Sequence, residues 1–168
     1  VRKLEYVFVT HGDADHINGI QELLQNQKQG VEIDALVLPP EEYMDEKLLH
    51  LAEMAKENGT RVLTIYSGEE VGTYLKCIAP LTTRKNECTR GRMEEVPRLE
   101  AGNEASVVLE LKDGAFQMLL TGDLEGRGEE QLVESGTLES CPILKAGHHG
   151  SKNSGSEEFL QIVKPRLT

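Results

Sequence analysis

The sequence predicts one α/β (α+β) domain built from layers of strands and helices. Short runs of β-branched and aromatic residues alternate along the chain with segments whose apolar residues recur at helical spacing. Polar side chains able to bind metal follow several predicted strands directly, where layered α/β folds present their reactive loops. The length of 168 residues is enough to bury one sizeable core and does not require a second domain. We therefore expect residues 1–168 to form a single domain.

Strands and helices alternate in the first half of the chain. Residues 4–10 form an apolar run that predicts a buried strand, and residues 17–27 have the apolar spacing of a helix, which Gly30 stops. A polar, acidic loop separates the two. The other elements predicted for this half are a strand at 33–38 closed by Pro39 and Pro40, a helix at 48–57 and a strand at 61–66.

The second half opens with a broken β stretch at 69–81, interrupted at Gly72. Residues 82–102 form a polar, charged connection that is long enough to be mobile or functional. Further along, Asp113 and Gly114 suit the tight turn of a hairpin. The elements predicted there are strands at 106–111 and 116–120, a helix at 128–134, a strand at 142–146 and a helix at 156–163 that Pro165 stops.

Composition limits the partners that the chain can meet. No apolar run approaches the roughly 18 residues of a membrane span, and no secretory signal opens the sequence. We therefore expect a soluble segment that does not insert into lipid and whose targeting information lies outside it. The formal net charge of -11 argues against binding a polyanion by surface attraction, so phosphate contacts have to be local or metal-mediated. The basic run at 83–92 is the one candidate patch.

Two classes of residue are interpreted as having no functional role. Carboxylates in helix-like stretches such as 125–134 are expected on a solvated face. The cysteines lie too far apart for a zinc knuckle or a disulfide framework, and we expect buried or incidental thiols at Cys77, Cys88 and Cys141.

Three groups of His and Asp each follow a predicted strand. Residues 11–16 read His-Gly-Asp-Ala-Asp-His, which places four metal-competent side chains within six residues. Carboxylates held this close repel one another unless a cation offsets their charge. The other two groups are Asp123, in a Thr-Gly-Asp segment, and the adjacent His148 and His149. Together they predict a metal site where the strands end.

Each group also has a purely structural interpretation. Residues 11–16 can be an acidic turn in which Asp15 caps the following helix, although a cap needs only one such residue. Asp123 can belong to a common Gly-Asp turn, and His148 and His149 can be surface residues of a glycine-flanked loop. The coincidence of the three groups favours the metal site.

These motifs resemble those of the metallo-β-lactamase superfamily, whose metal loop follows a buried strand as H-x-H-x-D-H. Here Asp13 replaces the second histidine, giving H-x-D-x-D-H, which is similar to the hydrolase domain of ComEC-type competence DNA-uptake proteins and their stand-alone relatives. The Asn-containing segment at 103–109, the Thr-Gly-Asp segment at 119–125 and the His-His-Gly-Ser loop at 144–151 resemble that subfamily too. The resemblance implies an αββα sandwich, and we expect a fragment that lacks its N-terminal strands and its C-terminal end.

The resemblance also assigns the ligands. It implies His11 and Asp13 on a first ion, with Asn103 where many members have a further histidine. It implies Asp15, His16 and a later histidine on a second ion, with Asp123 bridging the two. We favour His149 as that later ligand because of its spacing from Ser151, which leaves His148 as a supporting or substrate-binding group. The residues expected in catalysis are Asp15, which would orient a water molecule, and His148.

The ligand set implies one or two divalent ions, Zn²⁺ or Mn²⁺, that lower the pKa of bound water toward roughly 7. Two ions suit phosphodiester hydrolysis, so we expect a metal-dependent hydrolase acting on phosphodiesters, with a DNA nuclease in competence as the function that the resemblance implies. A ComEC-like parent would be a membrane-attached DNA-uptake channel with this domain outside the cytoplasm. Acyl substrates (lactam, lactone or thioester) remain an alternative, as does a non-catalytic binding module with an incomplete metal site.

Overall fold

A parallel three-stranded sheet carries the first half of the chain in the computed structural model, which describes residues 2–27, 30–82 and 96–168. Its strand order is β1-β2-β3, and two helices connect the strands. The elements of this half are β1 (Lys3–Phe8), α1 (Ala14–Gln25), β2 (Glu32–Leu38), α2 (Glu46–Glu57) and β3 (Arg61–Thr64).

A five-stranded sheet carries the second half, in the order β4-β5-β6-β7-β8. Neighbouring strands are antiparallel except β7 and β8, which run parallel. The elements are β4 (Glu70–Val71), β5 (Leu75–Ala79), β6 (Val108–Asp113), β7 (Phe116–Leu120), α3 (Gly126–Ser135), β8 (Ile143–Lys145) and α4 (Glu157–Val163).

Three apolar clusters stack these elements into four layers. Leu24 of α1 and Leu51 of α2 pack on the outer face of the first sheet, and the middle cluster joins Val37 to Leu109 across the two sheets. On the far side, Phe159 of α4 belongs to the cluster that covers the second sheet. The order of layers is helix, sheet, sheet, helix, so the predicted αββα sandwich is confirmed.

The sequence predicts every strand and α-helix of the described residues to within a few positions. The largest difference concerns α1, which begins at Ala14 instead of residue 17. Its first turn forms because the Asp13 carbonyl accepts hydrogen bonds from the backbone nitrogens of His16 and Ile17. Asp15 and His16 therefore project from a helix and not from a loop. Residues 83–95, with Cys88 and the basic run expected at 83–92, lie outside the described residues.

Two more expectations can be compared with the structure. The side chains of Cys77 and Cys141 are buried, as predicted. None of the helices in the described parts of the chain is long and apolar enough to span a bilayer.

Glu129 departs from the solvated face expected for the carboxylates of α3. Its side chain is buried, and its two oxygens accept hydrogen bonds of 2.7 Å from the backbone nitrogens of Gly155 and Ser156. These nitrogens precede α4, so the carboxylate anchors that helix to α3. A buried carboxylate with two backbone donors makes charge-assisted hydrogen bonds, which are the stronger class.

We expect Glu129→Gln to lower the free energy of unfolding of the metal-free protein by about 1.5–3 kcal/mol, because the amide NH₂ faces a backbone donor. The exposed neighbour Glu130 provides a matched control, and Glu130→Gln should leave stability unchanged. Urea unfolding followed by circular dichroism measures both variants. Equal stability of the two variants would show that Glu129 anchors nothing.

Candidate metal centre

The three His and Asp groups meet at one edge of the sandwich. The loop that begins at His11 follows β1, Asp123 follows β7, and His148 and His149 follow β8. The parallel pairing of β7 with β8 brings the last two loops side by side. The backbone nitrogen of Val107 donates to the Thr10 carbonyl at 3.0 Å and ties the first loop to the second sheet. The predicted convergence of these groups is therefore present.

Four of the predicted ligands form a compact cluster. Asp15, His16, Asp123 and His149 each offer one ligand atom, and these atoms all lie within 4.8 Å of one another. Asp123 Oδ2 lies 3.1 Å from His16 Nε2 and 3.3 Å from His149 Nε2. His149 Nε2 also lies 3.3 Å from Asp15 Oδ2. Two imidazoles and two carboxylates are a donor set that suits both Zn²⁺ and Mn²⁺.

Burial differs across this cluster. Asp123 is almost fully buried and His16 partly so, whereas the side chains of Asp15 and His149 are 64% and 61% exposed. The buried pair anchors the cluster, and the exposed pair opens it to solvent. The cluster is therefore open to solvent on one side.

Two buried histidine nitrogens at the site are not used for hydrogen bonds. His16 Nε2 is buried and makes no hydrogen bond, although Asp123 lies only 3.1 Å away; His11 Nε2 is in the same state. The Thr10 hydroxyl lies 3.4 Å from His16 Nδ1 and 3.0 Å from His11 Nδ1. Ser106 Oγ lies 3.4 Å from His11 Nδ1. A buried polar atom without a partner costs free energy, which a bound cation offsets. The site therefore fits a divalent metal ion.

His11, Asp13 and Asn103, the ligands predicted for a first ion, lie beside this cluster. His11 is buried, and its Nε2 lies 3.6 Å from Asp13 Oδ2. Burial and the nearby His16 lower the pKa of His11, which favours the neutral ring that a metal needs. Asn103 donates from Nδ2 to Glu125 at 3.1 Å, while its Oδ1 is buried and makes no hydrogen bond. Neither these three residues nor His148 belong to the compact four-residue cluster.

His148 and His149 point to different partners. His148 Nδ1 lies 2.7 Å from Glu125 Oε2, and this hydrogen bond raises the pKa of His148 and lowers that of Glu125. Both histidines have left-handed backbone, with φ of 40° and 53°. Non-glycine residues adopt this conformation at a cost and mostly where function requires it. Here it lets adjacent side chains diverge, one to the cluster and one to Glu125.

Asp123 carries its charge in spite of its burial. Desolvation acts to raise the pKa of this carboxyl, but Coulombic interactions with His16, Lys145 and His149 outweigh it and lower the pKa below the ordinary value. The ionised form is the one that binds a cation. Asp15 also has a lowered pKa, chiefly because of a backbone hydrogen bond.

Four residues of the site are absent from the predicted set: Thr10, Ser106, Glu125 and Lys145. Glu125 was expected on a solvated face, and that expectation is wrong because the carboxylate accepts from His148 and Asn103. The Ser106 hydroxyl and the Lys145 ammonium contact residues far away in the sequence, whereas the Thr10 hydroxyl contacts the nearby His11 and His16. Only the position of each residue beside a predicted ligand motif signals its role.

Gly122 holds the loops at their closest approach. It has a φ of +55°, and a Cβ built there would lie 2.9 Å from Thr10 Cβ and 3.2 Å from Ser106 Cβ. Its carbonyl accepts from the backbone nitrogen of His148 at 3.3 Å. Gly122 therefore lies between all three ligand loops.

We expect Gly122→Ala to lower the free energy of unfolding by about 2–4 kcal/mol, through both strain and overpacking, and to weaken metal binding. Gly114 is the matched control, since it has nearly the same φ of +56° but open space around it. Gly114→Ala should cost only about 1 kcal/mol. Urea unfolding compares the two variants, and equal losses would show that the contact with Thr10 does not matter.

Comparisons with known proteins agree with this geometry. The sequence model of the metallo-beta-lactamase superfamily matches residues 1–167. The chain is 30% identical to "ComE operon protein 3" of Bacillus subtilis (strain 168) over 172 aligned positions, which cover 99% of this chain and 20% of that protein. It is 31% identical to "Competence protein ComA" of Neisseria gonorrhoeae, over 98% of this chain and 19% of that protein. A 65-residue match to "Recombination protein 2" of Haemophilus influenzae is 43% identical and covers 39% of this chain and 8% of that protein. The chain thus spans a fifth or less of these relatives.

Proposed function

The chain belongs to the metallo-beta-lactamase superfamily, and from this membership we propose that it is a metal-dependent hydrolase that cleaves phosphodiesters, with DNA as its substrate. The observation that carries the proposal is the four-residue cluster, in which His16 Nε2 is buried and makes no hydrogen bond. Two relatives whose names refer to competence and recombination support the choice of DNA.

Asp15, His16, Asp123 and His149 would hold one divalent ion, Zn²⁺ or Mn²⁺, and His11, Asp13 and Asn103 would serve a second beside it. A bound ion supplies Lewis acidity and lowers the pKa of a coordinated water toward about 7. Asp15, ionised and exposed at the open side of the cluster, would orient the attacking water. The buried Asp123 would stay fixed while substrate enters.

His148 would contact the substrate instead of the metal. Its hydrogen bond to Glu125 occupies Nδ1 and leaves Nε2 to reach a phosphate or leaving-group oxygen. The Glu125 carboxylate raises the pKa of His148, which favours the protonated ring that would donate a proton to the departing oxygen. The two adjacent histidines would then divide metal binding and proton transfer between them.

The charge of the chain restricts how a phosphodiester would bind. With a net charge of -11, the protein attracts polyanions poorly, so the positive charge must come from local groups and bound ions. Within a longer parent chain, we propose a membrane-attached, extracytoplasmic setting in DNA uptake.

The experiment is metal analysis of the purified chain together with hydrolysis of bis-p-nitrophenyl phosphate, with and without added Mn²⁺ or Zn²⁺. A double variant, Asp15→Ala with His16→Ala, is the control. Metal-dependent turnover that the double variant lacks supports the proposal, and single-stranded DNA becomes the next substrate. Turnover of lactam, lactone or thioester substrates alone would favour an acyl hydrolase. A folded chain that binds no metal would favour a non-catalytic module.

A further inference from the structure

Lys145 is fixed beside the loop that carries Asp123. It is the last residue of β8 and pairs in register with Leu120, the last residue of β7. Its carbonyl accepts a hydrogen bond of 2.7 Å from the Thr121 hydroxyl. The backbone of Lys145 is thus tied to the start of that loop from two directions.

The ammonium of Lys145 reaches over this loop to the buried carboxylate. Nζ donates to the Gly122 carbonyl and lies 3.4 Å from Asp123 Oδ1. The other oxygen, Oδ2, is the one near His16 and His149. The two oxygens of Asp123 therefore have different neighbours, a lysine on one side and the metal-ligand cluster on the other.

A carboxylate rotates readily about its last side-chain torsion, because that torsion has broad, roughly two-fold minima. A charged donor fixed at Oδ1 restricts this rotation and holds Oδ2 toward the histidines. The same charge also repels a cation nearby. The two effects predict opposite changes in metal affinity when the lysine is removed, so they can be separated by experiment.

We propose that Lys145 is a positioning residue that orients the Asp123 carboxylate for metal binding, an inference that rests on the proposed metal-dependent function. Partners of metal ligands commonly contribute 10–100-fold to affinity. The donor bonds to Gly122 and Asp123 join the loop backbone and the ligand side chain through one ammonium. For metal affinity, the orientation of the Asp123 carboxylate outweighs the repulsion between Lys145 and the cation. The side chain of Lys145 is one-third exposed, so solvent screens its charge.

The test compares Mn²⁺ affinities of the wild type, Lys145→Met and Lys145→Arg by calorimetric titration. Methionine keeps the apolar stem without the donor, whereas arginine keeps both charge and donors. We expect Lys145→Met to bind Mn²⁺ about 10-fold or more weakly and Lys145→Arg to stay within about 3-fold of the wild type. Lys152, an exposed lysine in the following loop, provides the control, and Lys152→Met should match the wild type.

Circular dichroism melts of the metal-free variants separate positioning from folding. A weaker affinity in Lys145→Met at a temperature where the metal-free variant is folded supports the proposal. Affinity equal to or tighter than that of the wild type would overturn it, because repulsion would then be the only effect of the lysine. A tenfold loss in a folded Lys145→Arg would also overturn it. Failure of the wild type to bind Mn²⁺ at all would instead overturn the proposed function.

Discussion

Replacing Asp123 with asparagine is expected to abolish metal binding and hydrolysis together. Asp123 Oδ2 is the oxygen that both His16 and His149 approach, and the carboxylate is buried and ionised. Asparagine keeps the shape but removes the charge that a divalent ion requires. We expect Mn²⁺ affinity to fall by more than about 100-fold, beyond the range seen for residues that merely support ligands. Calorimetric titration and bis-p-nitrophenyl phosphate hydrolysis measure the two effects.

Asp113→Asn is the matched control for this change. Asp113 is the exposed last residue of β6, directly before the turn to β7, and lies far from the cluster in the fold. The control should bind metal and hydrolyse substrate as the wild type does. If Asp123→Asn kept its metal, the cluster would not be the binding site.

Replacing His148 and His149 one at a time should separate catalysis from metal binding. His149→Gln removes a ligand atom of the cluster, so we expect Mn²⁺ affinity to fall at least about 10-fold. His148→Gln leaves the cluster intact and should keep metal affinity. It removes the proposed proton donor, which is hydrogen-bonded to Glu125, so we expect turnover of DNA to fall about 10²–10⁴-fold.

The leaving group refines this comparison. p-Nitrophenolate departs without a proton, so His148→Gln should slow bis-p-nitrophenyl phosphate hydrolysis much less than DNA hydrolysis. The exposed His50 on α2 supplies the control variant, His50→Gln, which should change neither quantity. A loss of metal in His148→Gln with full retention in His149→Gln would reverse the assignment of the two histidines.

Much of the fold could be predicted because each element carries its own local signal. The apolar run before residue 11 predicts a strand, and the spacing of apolar residues after residue 17 predicts a helix. The start of α1 could not be predicted this way, because a polar first turn has no apolar period. Its true start at Ala14 depends on the carbonyl of Asp13 and places Asp15 and His16 on one rigid element.

The candidate site was predictable to the extent that its ligands are metal-competent residues placed after strands. The choice between His148 and His149 depends on left-handed backbone, which the residue types there do not predict. The roles of Glu125 and Lys145 depend on contacts with residues more than twenty positions away. Such contacts form only once the strands have paired, so no local sequence pattern predicts them.

The most direct test of the central claim is a calorimetric titration of the metal-free chain with Mn²⁺ and Zn²⁺, beside the variant His16→Ala. The geometry of Asp15, His16, Asp123 and His149 predicts saturable binding of at least one ion per chain, which His16→Ala weakens by more than about 10-fold. Absence of saturable binding in the folded wild type, or binding that His16→Ala leaves unchanged, would contradict the assignment of this cluster as the metal centre.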